Sequence, residues 1–414
     1  MRKLLLYLTL ISINIQAYSQ SITLSECENQ FLKNNLQLIA EQYNINASKA
    51  NVIQAKLWEN PYATVELNAY NPNKKQYFDI GSSGQKAFSI EQIIHIGGQK
   101  RNEVNLAKSN AKIAELKFED LLRNLKFSLR QSYFSIYYDM KSLASIDRQL
   151  KNLEQLISAY QTQADKGNIA PKDVLRLQSL SVNLKNDKIL LVNNISENQS
   201  ILKLLLSNTS EIIPQPSAAE ELRYWEQKPL NIDTLINMAI ANRKDLAVQN
   251  INIEANQYNL KWQRSLSVPD LNIGVSHDQA AGAFPNQTNL TLGIPIPLWN
   301  RNQGNIKIAK AYTEQAKTNY TLSEIEVRNE VKSAFDKYNI TIDNYKQIDP
   351  QIASKYENIY QAMYQNFKKS NISIIEFTDF MESYNQSIIQ LNEMKKSIIK
   401  ASEEINYSTA SIII

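Results

Sequence analysis

The sequence contains one long run, Gln99 to Lys166, that has no Gly and no Pro. A single helix of that length would span about 100 Å at roughly 1.5 Å of rise per residue, far more than a compact core needs. Its apolar residues recur in steps of four and three, which is the heptad spacing of a coiled coil. These residues are Phe118, Leu122, Leu125, Leu129, Tyr133, Ile136, Met140, Leu143, Ile146, Leu150, Leu153, Ile157 and Tyr160.

The run ends at Gly167-Asn168-Ile169-Ala170-Pro171, and Lys172 to Asn208 again lacks Gly and Pro. Gly suits the left-handed position that ends a helix, and Pro suits the first turn of the next one. The sequence therefore predicts a long antiparallel helical hairpin whose tip is formed by residues 167–171.

Composition excludes several classes of function. The 45 basic residues nearly balance the 41 acidic ones, and the net charge of +4 is too small and too scattered for a nucleic-acid-binding protein. One Cys and two His cannot build an internal disulfide or a zinc site. Because no catalytic triad, phosphate loop or metal-ligand spacing is present, we expect no enzyme activity, no metal and no cofactor.

The N-terminus has the pattern of a secretory signal peptide. Arg2 and Lys3 precede an apolar run from Leu4 to Ile15, and the small residues of Ala17-Tyr18-Ser19 follow. We therefore predict a signal peptide at residues 1–19 and an exported protein. No later stretch offers about 20 apolar residues, so a membrane would have to be crossed by strands.

The rest of the chain is a twofold repeat. The first repeat, 20–208, begins with a capping box at Thr23 and Glu26 and continues into predicted strands 62–70 and 86–94. A linker that contains three Pro, residues 209–230, is predicted to be irregular. The second repeat, 231–414, carries predicted strands 270–277 and 288–297 and a second tip at 370–372. Its long helix, predicted from about Arg301 to Lys369, should kink at Pro350.

Apolar and polar residues alternate in all four predicted strands, as in a sheet with lipid on one side and water on the other. Four strands cannot close a barrel, and an open edge cannot face lipid, whereas three copies of the chain supply twelve strands. Trp58, Trp262 and Trp299 lie at the helix–strand junctions, where an interfacial aromatic belt is expected. An ordinary hairpin sheet in a soluble domain is the alternative.

The repeat, its tips and its junctions resemble those of TolC-type outer-membrane efflux proteins. The junctions are residues 97–101 and 296–304, and residues 296–304 are most similar to the junction of the heavy-metal branch, the CzcC/CusC-like group. The resemblance implies a mainly α protein with a membrane β-barrel portion, which as a homotrimer forms a 12-stranded β-barrel and an α-helical barrel. It also implies an outer-membrane protein in contact with lipid, whose helices lie in the periplasm.

The function that the resemblance implies is a passive exit duct of a tripartite efflux system. Its partners would be a periplasmic adaptor and an inner-membrane transporter of the resistance–nodulation–division type, with heavy-metal cations or drugs as cargo. Two alternatives remain from the sequence: an exit duct for type I secretion, and a periplasmic coiled-coil adaptor or scaffold. The sequence does not identify the cargo or the pump.

The resemblance also indicates a periplasmic gate just after the second tip. The matching residues are Glu376 and Asp379, with Glu382 extending the same helix face. Asp173 matches a position that helps to hold the closed end, but the expected basic partner is replaced by Ile372, which argues against a salt-bridge lock. A plain solvated helix face is the alternative for the three acidic residues after the second tip.

Three further sets of residues complete the candidates. Gly167, Asn168, Ile169, Ala170, Pro171, Ser370, Asn371 and Ile372 form the tips, which are candidate adaptor-docking surfaces as well as simple helix reversals. Glu66 and Glu91 are predicted on the polar face of the strands, where they would face the barrel lumen and favour cations or simply solvate the pore. His95 and His277, at strand ends, are predicted to be structural or surface residues.

Overall fold

The computed structural model describes residues 20–82, 84–226, 229–280 and 283–414. The predicted signal peptide, 1–19, lies outside the described residues. The chain divides into two compact units. Unit 1 holds the described residues up to Ile39 together with Leu121–Asn242 and Asn329–Ile414, and unit 2 holds Ala40–Asp120 and Arg243–Arg328.

Helices dominate the described part of the chain. They are α1 (Leu24–Asn34), α2 (Leu36–Lys56), α3 (Gln99–Asp165), α4 (Pro171–Leu206), α5 (Ala218–Leu222), α6 (Ile232–Asn242), α7 (Lys244–Ser265), α8 (Gln303–Lys346), α9 (Ile352–Lys368) and α10 (Ile374–Thr409). Every apolar residue of the heptad pattern in α3 is buried or half-buried, which explains why this helix continues without interruption. Among the described residues, no helix is both long enough and apolar enough to cross a bilayer.

Three helix boundaries differ from the predictions. The predicted first helix is broken at Asn35, whose buried side chain accepts a hydrogen bond from the N–H of Leu38 and donates one to the carbonyl of Leu205. The equivalent helix of the second repeat is broken at Arg243. At Pro350 the second long helix does not merely kink. It stops at Lys346 and restarts at Ile352, because Pro cannot donate the hydrogen bond that would carry the helix through.

Near the hairpin tips of unit 1, α3, α4, α9 and α10 pack around one hydrophobic core. Its buried residues include Ile146, Leu153, Leu177, Tyr360 and Phe377. Farther from the tips, α10 carries Glu403, whose carboxylate is buried. It accepts hydrogen bonds from Arg130 of α3 at 2.9 Å, and from Arg223 at 2.9 Å and the Tyr224 hydroxyl at 2.6 Å, which follow α5. Because each of these groups would be costly to bury alone, the network fixes one arrangement of the helices.

Two distant segments of unit 1 form a short parallel pair, β1 (Gln20–Ile22) with β6 (Ile212–Pro214). The carbonyl of Ile22 also accepts a hydrogen bond from the buried Tyr133 hydroxyl at 2.8 Å. The segment 209–230, predicted to be irregular, therefore contains a strand and the short helix α5, which Ser217 and Glu220 cap. The pairing of β1 with β6 could not be predicted, because the two strands are about 190 residues apart and neither local sequence indicates its partner.

Unit 2 contains an antiparallel four-stranded sheet in the order β2-β5-β7-β8. These strands are β2 (Tyr62–Leu67), β5 (Gln85–Ile94), β7 (Leu271–Ala280) and β8 (Phe284–Gly293). A two-residue pair, β3 (Tyr70–Asn71) with β4 (Gln76–Tyr77), occupies the loop between the first two. On the helical side, Ile113 and Leu116 of α3 pack against Val248 and Ala255 of α7.

The strand bounds correct three predictions. Strand 62–70 ends early, at Leu67. Strand 270–277 continues to Ala280, and strand 288–297 is shifted to 284–293, so the loop between them is short. The shift follows from Pro295 and Pro297, which cannot donate ladder hydrogen bonds and therefore lie beyond the strand end.

Candidate functional site

The two hairpin tips of unit 1 have the same backbone geometry. Gly167 and Ser370 each take the left-handed conformation, with φ of 77° and 59°. At the first tip, the N–H groups of Gly167 and Asn168 donate to the carbonyls of Ala164 and Gln163. At the second tip, those of Ser370 and Asn371 donate to Phe367 and Asn366, so both tips are Schellman motifs.

The helices that follow the tips begin differently. α4 begins at Pro171, after Ala170, which supplies no side-chain cap. α10 begins after Ser373, whose hydroxyl accepts from the N–H of Glu376, while the Glu376 carboxylate accepts from the Ser373 N–H at 2.8 Å. This capping box was not predicted, although Ser373 followed three residues later by Glu376 is its signature.

The three candidate gate carboxylates, Glu376, Asp379 and Glu382, are all exposed on α10, while Phe377 and Met381 between them are buried. Glu376 is therefore both a capping residue and the first carboxylate of this exposed face. The N–H of Ser373, and then its hydroxyl, hold the pKa of Glu376 below its usual range. The role of Glu376, Asp379 and Glu382 in a gate stays a prediction.

The opposite helix start holds Asp173, which is half-buried. Burial, and then the nearby charge of Asp173, raise the pKa of Tyr160. Ile372, which stands where a basic partner was expected, packs instead against the apolar core between the helices. The chain thus offers an apolar contact at the position where a salt bridge would have formed.

A groove of about 560 Å³ runs between α3 and α4 below the first tip. Its lining is mixed in character: Glu154, Ile157, Ser158, Gln161, Thr162, Gln178, Ser181, Val182 and Lys185. Along α4, Leu175, Val182 and Ile189 are exposed and spaced by seven residues. This spacing places three apolar side chains on one helix face, as in helices that pack against a further helix.

The strand register separates the sheet of unit 2 into an apolar and a polar face. Cross-strand partners point to the same side of a sheet. On one face, Ala63, Ile90, Val275 and Leu290 form a continuous row across all four strands. Four of the neighbouring residues on this face, Val65, Phe88, Ile273 and Leu292, are also apolar and exposed. The side-chain exposure of Leu290 reaches 83 %.

The opposite face carries the acidic residues. Glu91 lies in a row with Gly274 and Thr291, and its carboxylate accepts a hydrogen bond from Asn272 at 3.0 Å. A side chain at Gly274 would collide with Thr291 Oγ1 at 2.8 Å, so the glycine leaves room for Glu91. The predicted lumen residues Glu66 and Glu91 thus share one face. Their role in a lumen stays a prediction.

One acidic residue of this face, Asp278, was not predicted. Asp278 lies in the same row as Glu66, with Ala87 between them. The region was assigned to a loop, although the alternation Asn272, Gly274, Ser276 could have been extended to it. The described residues of the polar face therefore present three carboxylates and no Lys or Arg.

Both histidines have protein partners. His95 Nδ1 lies 2.9 Å from Asp270 Oδ1, its Nε2 lies 3.5 Å from Glu59, and the ring stacks on Trp58. His277 Nδ1 lies 3.1 Å from Thr288 Oγ1. Over the described ranges, no cluster of three or more His, Cys, Asp or Glu residues could hold a metal ion.

Known proteins resemble this chain along most of its length. It is 18 % identical over 357 residues to the cobalt-zinc-cadmium resistance protein CzcC of Cupriavidus metallidurans, a match that covers 86 % of this chain and 82 % of that protein. A crystal structure of CusC superposes with a TM-score of 0.72 at 15 % identity, covering 94 % of this chain and 92 % of that one. The CmeC outer membrane channel of Campylobacter jejuni gives a TM-score of 0.74 at 14 % identity, covering 94 % and 86 %.

The family itself is shown by a sequence model. The model described as "Outer membrane efflux protein" matches residues 28–208 and 235–410, which is most of the chain. The resemblance to TolC-type efflux proteins and the mainly helical fold are thereby confirmed. The chain belongs to the outer membrane efflux protein family, and it is a transport protein of the outer membrane and not an enzyme.

Proposed function

We propose that this protein is the passive exit duct of a tripartite efflux system and that it works as a homotrimer. The observation that carries the proposal is the open four-stranded sheet with one exposed apolar face and one acidic, polar face. The edge strands β2 and β8 have unpaired backbone groups, which lipid cannot satisfy. Three sheets joined edge to edge give a closed 12-stranded barrel with apolar residues outside.

In this arrangement the sequence divides as predicted from its repeat: a signal peptide at 1–19, repeats at 20–208 and 231–414, and a linker at 209–230. The helices form the periplasmic barrel, and the exposed heptad residues Leu175, Val182 and Ile189 support packing against a helix of a neighbouring copy. The tips, residues 167–171 and 370–372, dock onto the periplasmic adaptor, which connects to a transporter of the resistance–nodulation–division type.

Divalent heavy-metal cations are the cargo that two features favour. The relative CzcC is a cobalt-zinc-cadmium resistance protein. The polar face of the sheet and the exposed face of α10 both carry carboxylates, and rings of carboxylates favour cations in a pore. Drugs and secreted proteins are alternative cargoes that the same duct could pass.

The trimer is tested by isolating outer membranes and comparing heated with unheated samples by electrophoresis. We expect a heat-sensitive trimer band and, in planar bilayers, a cation-selective conductance. A protein found only in the soluble periplasmic fraction, as a monomer without conductance, would refute the duct.

The cargo is tested by deleting the gene and measuring the susceptibility of the strain to a panel of metals and drugs. Increased sensitivity to Co²⁺, Zn²⁺ or Cd²⁺, reversed by a plasmid copy, would support cation export. Loss of a secreted protein from the medium, with unchanged susceptibility, would instead support the type I secretion duct.

A further inference from the structure

The four strands of unit 2 bring four chain junctions to one end of the sheet. The strand ends Tyr62, Ile94, Leu271 and Gly293 lie side by side there in the pairing register. We call the residues at these junctions the junction collar, defined as residues 56–61, 95–101, 261–270 and 294–301. It contains three of the four Trp residues of the chain: Trp58, Trp262 and Trp299.

The junction collar is basic. It contains six basic residues, Lys56, Lys100, Arg101, Lys261, Arg264 and Arg301. Its acidic residues are only Glu59 and Asp270, and both lie against His95, at 3.5 and 2.9 Å. With His95 neutral, the collar therefore carries an excess of four positive charges per chain. On the polar face of the strands, by contrast, all the charged residues described are acidic.

Most of these cations are not neutralised within the protein. Lys100 pairs with Glu103, and Lys261 lies over the Tyr258 ring. Over the described residues, Lys56, Arg101, Arg264 and Arg301 are exposed and have no acidic partner. Exposed guanidinium groups that lack a carboxylate are free to bind phosphate, for which their geometry is suited.

Hydrogen bonds connect the junctions that carry the basic residues. The Asn302 side chain donates to the Gln263 carbonyl at 2.7 Å, which places the neighbouring residues Arg301 and Arg264 on adjoining segments. The Asn102 side chain likewise donates to the Lys261 carbonyl at 3.3 Å, next to Arg101. Arg301 and Arg264 therefore lie on neighbouring segments, and so do Arg101 and Lys261.

Exposed apolar groups stand beside the same cations. Trp299 and Ile296 are 86 % and 77 % exposed, and Leu57, Trp58 and Leu298 are exposed as well. A cavity of about 300 Å³ lies at the surface here, lined by prolines and by Leu266, Leu298 and Trp299. A surface that combines free cations with exposed aromatic and aliphatic groups matches a lipid molecule, which is anionic at one end and apolar at the other.

We infer that the junction collar binds anionic glycerophospholipids, with Arg101, Arg264 and Arg301 on the headgroup phosphates and Trp299 and Ile296 at the start of the acyl chains. The inference rests on the proposed placement of the strands in the bilayer. It adds a lipid preference, because a neutral zwitterionic headgroup offers no net charge to an unneutralised basic surface. Binding at the collar would fix the depth of the sheet in the membrane.

The test uses the full exported chain, purified in a neutral detergent and titrated with dioctanoyl phosphatidylglycerol or dioctanoyl phosphatidylcholine. Tryptophan fluorescence reports binding, because the collar holds three of the four Trp. We expect phosphatidylglycerol to bind at least about tenfold more tightly, and raising the ionic strength about tenfold to weaken only this binding.

A triple collar variant, Arg101→Gln with Arg264→Gln and Arg301→Gln, lowers the excess positive charge of the collar from four to one. It should lose most of the preference for phosphatidylglycerol. The matched control removes three exposed basic residues that form no ion pair in the described structure, with the changes Lys33→Gln, Lys151→Gln and Lys332→Gln. It should keep the preference for phosphatidylglycerol.

Equal binding of both lipids by the unaltered protein would overturn the inference, and so would equal loss of the preference in both variants. Bilayer conductance of the same preparations separates this failure from failure of the duct. A trimer that conducts ions but shows no lipid preference refutes the lipid site alone, whereas absence of both trimer and conductance refutes the proposed function.

Discussion

Gly167 and Ser370 occupy the same left-handed position at the two hairpin tips, and Ala170 and Ser373 stand at the two helix starts that follow. The first tip combines a glycine with Pro171 at the helix start and uses no side-chain cap. The second places a side chain in the left-handed region and recovers stability with the Ser373–Glu376 capping box. The two repeats thus share the backbone reversal but differ in the residues that stabilise it.

The packing beneath the tips differs as well. Phe367 and Phe377 stack with their rings 4.2 Å apart, and Tyr160 stacks on Phe367. At the same distances from the first tip stand Ala164 and Val174. The second hairpin therefore has stacked aromatic rings at the positions where the first has Ala164 and Val174. Substitutions at these equivalent positions should have unequal effects on stability.

The largest difference should come from truncating the buried side chain next to each tip. Phe377→Ala should destabilise the second hairpin by about 3–5 kcal/mol, because it removes a fully buried ring. Val174→Ala at the first tip should cost roughly 1.5 kcal/mol, because it removes two buried methyl groups at about 0.8 kcal/mol each. Hydrogen exchange of the tip amides measures both, and equal effects would show that the aromatic stack adds nothing.

Loss of the capping side chain should have an intermediate effect confined to the second tip. Ser373→Ala should cost about 0.5–2 kcal/mol, since the N–H of Glu376 loses its acceptor. Ala170→Ser, the reverse change at the first tip, should slow amide exchange in the first turn of α4. If Ser373→Ala left exchange in α10 unchanged, the cap would be dispensable.

The left-handed residues should give a smaller pair of opposite effects. Gly167→Ala should destabilise the first tip by about 1 kcal/mol, because a Cβ is strained at a φ of 77°. Ser370→Gly should stabilise the second by about 0.5 kcal/mol. No neighbouring atom lies within 4 Å of a Cβ at Gly167, so a larger effect there would contradict a purely local cause.

Removing charge at the second tip should have the smallest effect on structure. Gln can replace Glu in a capping box, so Glu376→Gln with Asp379→Asn removes two charges and keeps the cap. We expect the ratio of cation to anion permeability in bilayers to fall a few-fold, while the amides in the first turn of α10 lose no more protection than they lose when Glu376 is protonated in the unaltered protein. Asp165→Asn with Lys166→Gln, at two exposed residues beside the first tip that are not candidate gate residues, controls for local polarity. Unchanged selectivity in the double variant would remove Glu376 and Asp379 from the gate.

The pH dependence of the second tip has a defined sign. The pKa of Glu376 is lowered in the folded protein by the hydrogen bonds from Ser373. Its contribution to stability is therefore complete above the ordinary pKa of a glutamate and is lost as the pH falls through the lowered value. The amides in the first turn of α10 should therefore lose protection against exchange on acidification, measured relative to the intrinsic exchange rate at each pH. Ser373→Ala removes the hydroxyl but keeps the backbone N–H, so it should weaken this response without abolishing it.

Features set by local chemistry could be predicted from the sequence, and features set by distant partners could not. The capping box at Thr23 and Glu26 and the alternation in the strands follow from neighbouring residues, and the structure has them. The helix breaks at Asn35 and Arg243 were missed. At Asn35 the side chain caps α2 through the Leu38 N–H and also donates to the distant carbonyl of Leu205, a contact that the local sequence does not reveal. Asp278 was missed because a loop was assumed after His277.

For the same reason, the candidate gate could be predicted only in part from the sequence. The position of Glu376, Asp379 and Glu382 on one exposed face follows from helix geometry. The capping role of Glu376 depends on where α10 begins, and the pairing of Ser373 with Glu376 was not recognised as a helix start. In the proposed trimer, selectivity depends on the distance between carboxylates of different copies, and the sequence of one copy does not encode that distance.

The parallel pairing of Gln20–Ile22 with Ile212–Pro214 has a consequence for biogenesis. In the export that we propose, β1 emerges first and has no strand partner until just over half of the chain has followed, because its only strand partner among the described residues is β6. We therefore expect this strand pair to form only after the hairpin of α3 and α4, which lies between the two strands in the sequence, has emerged.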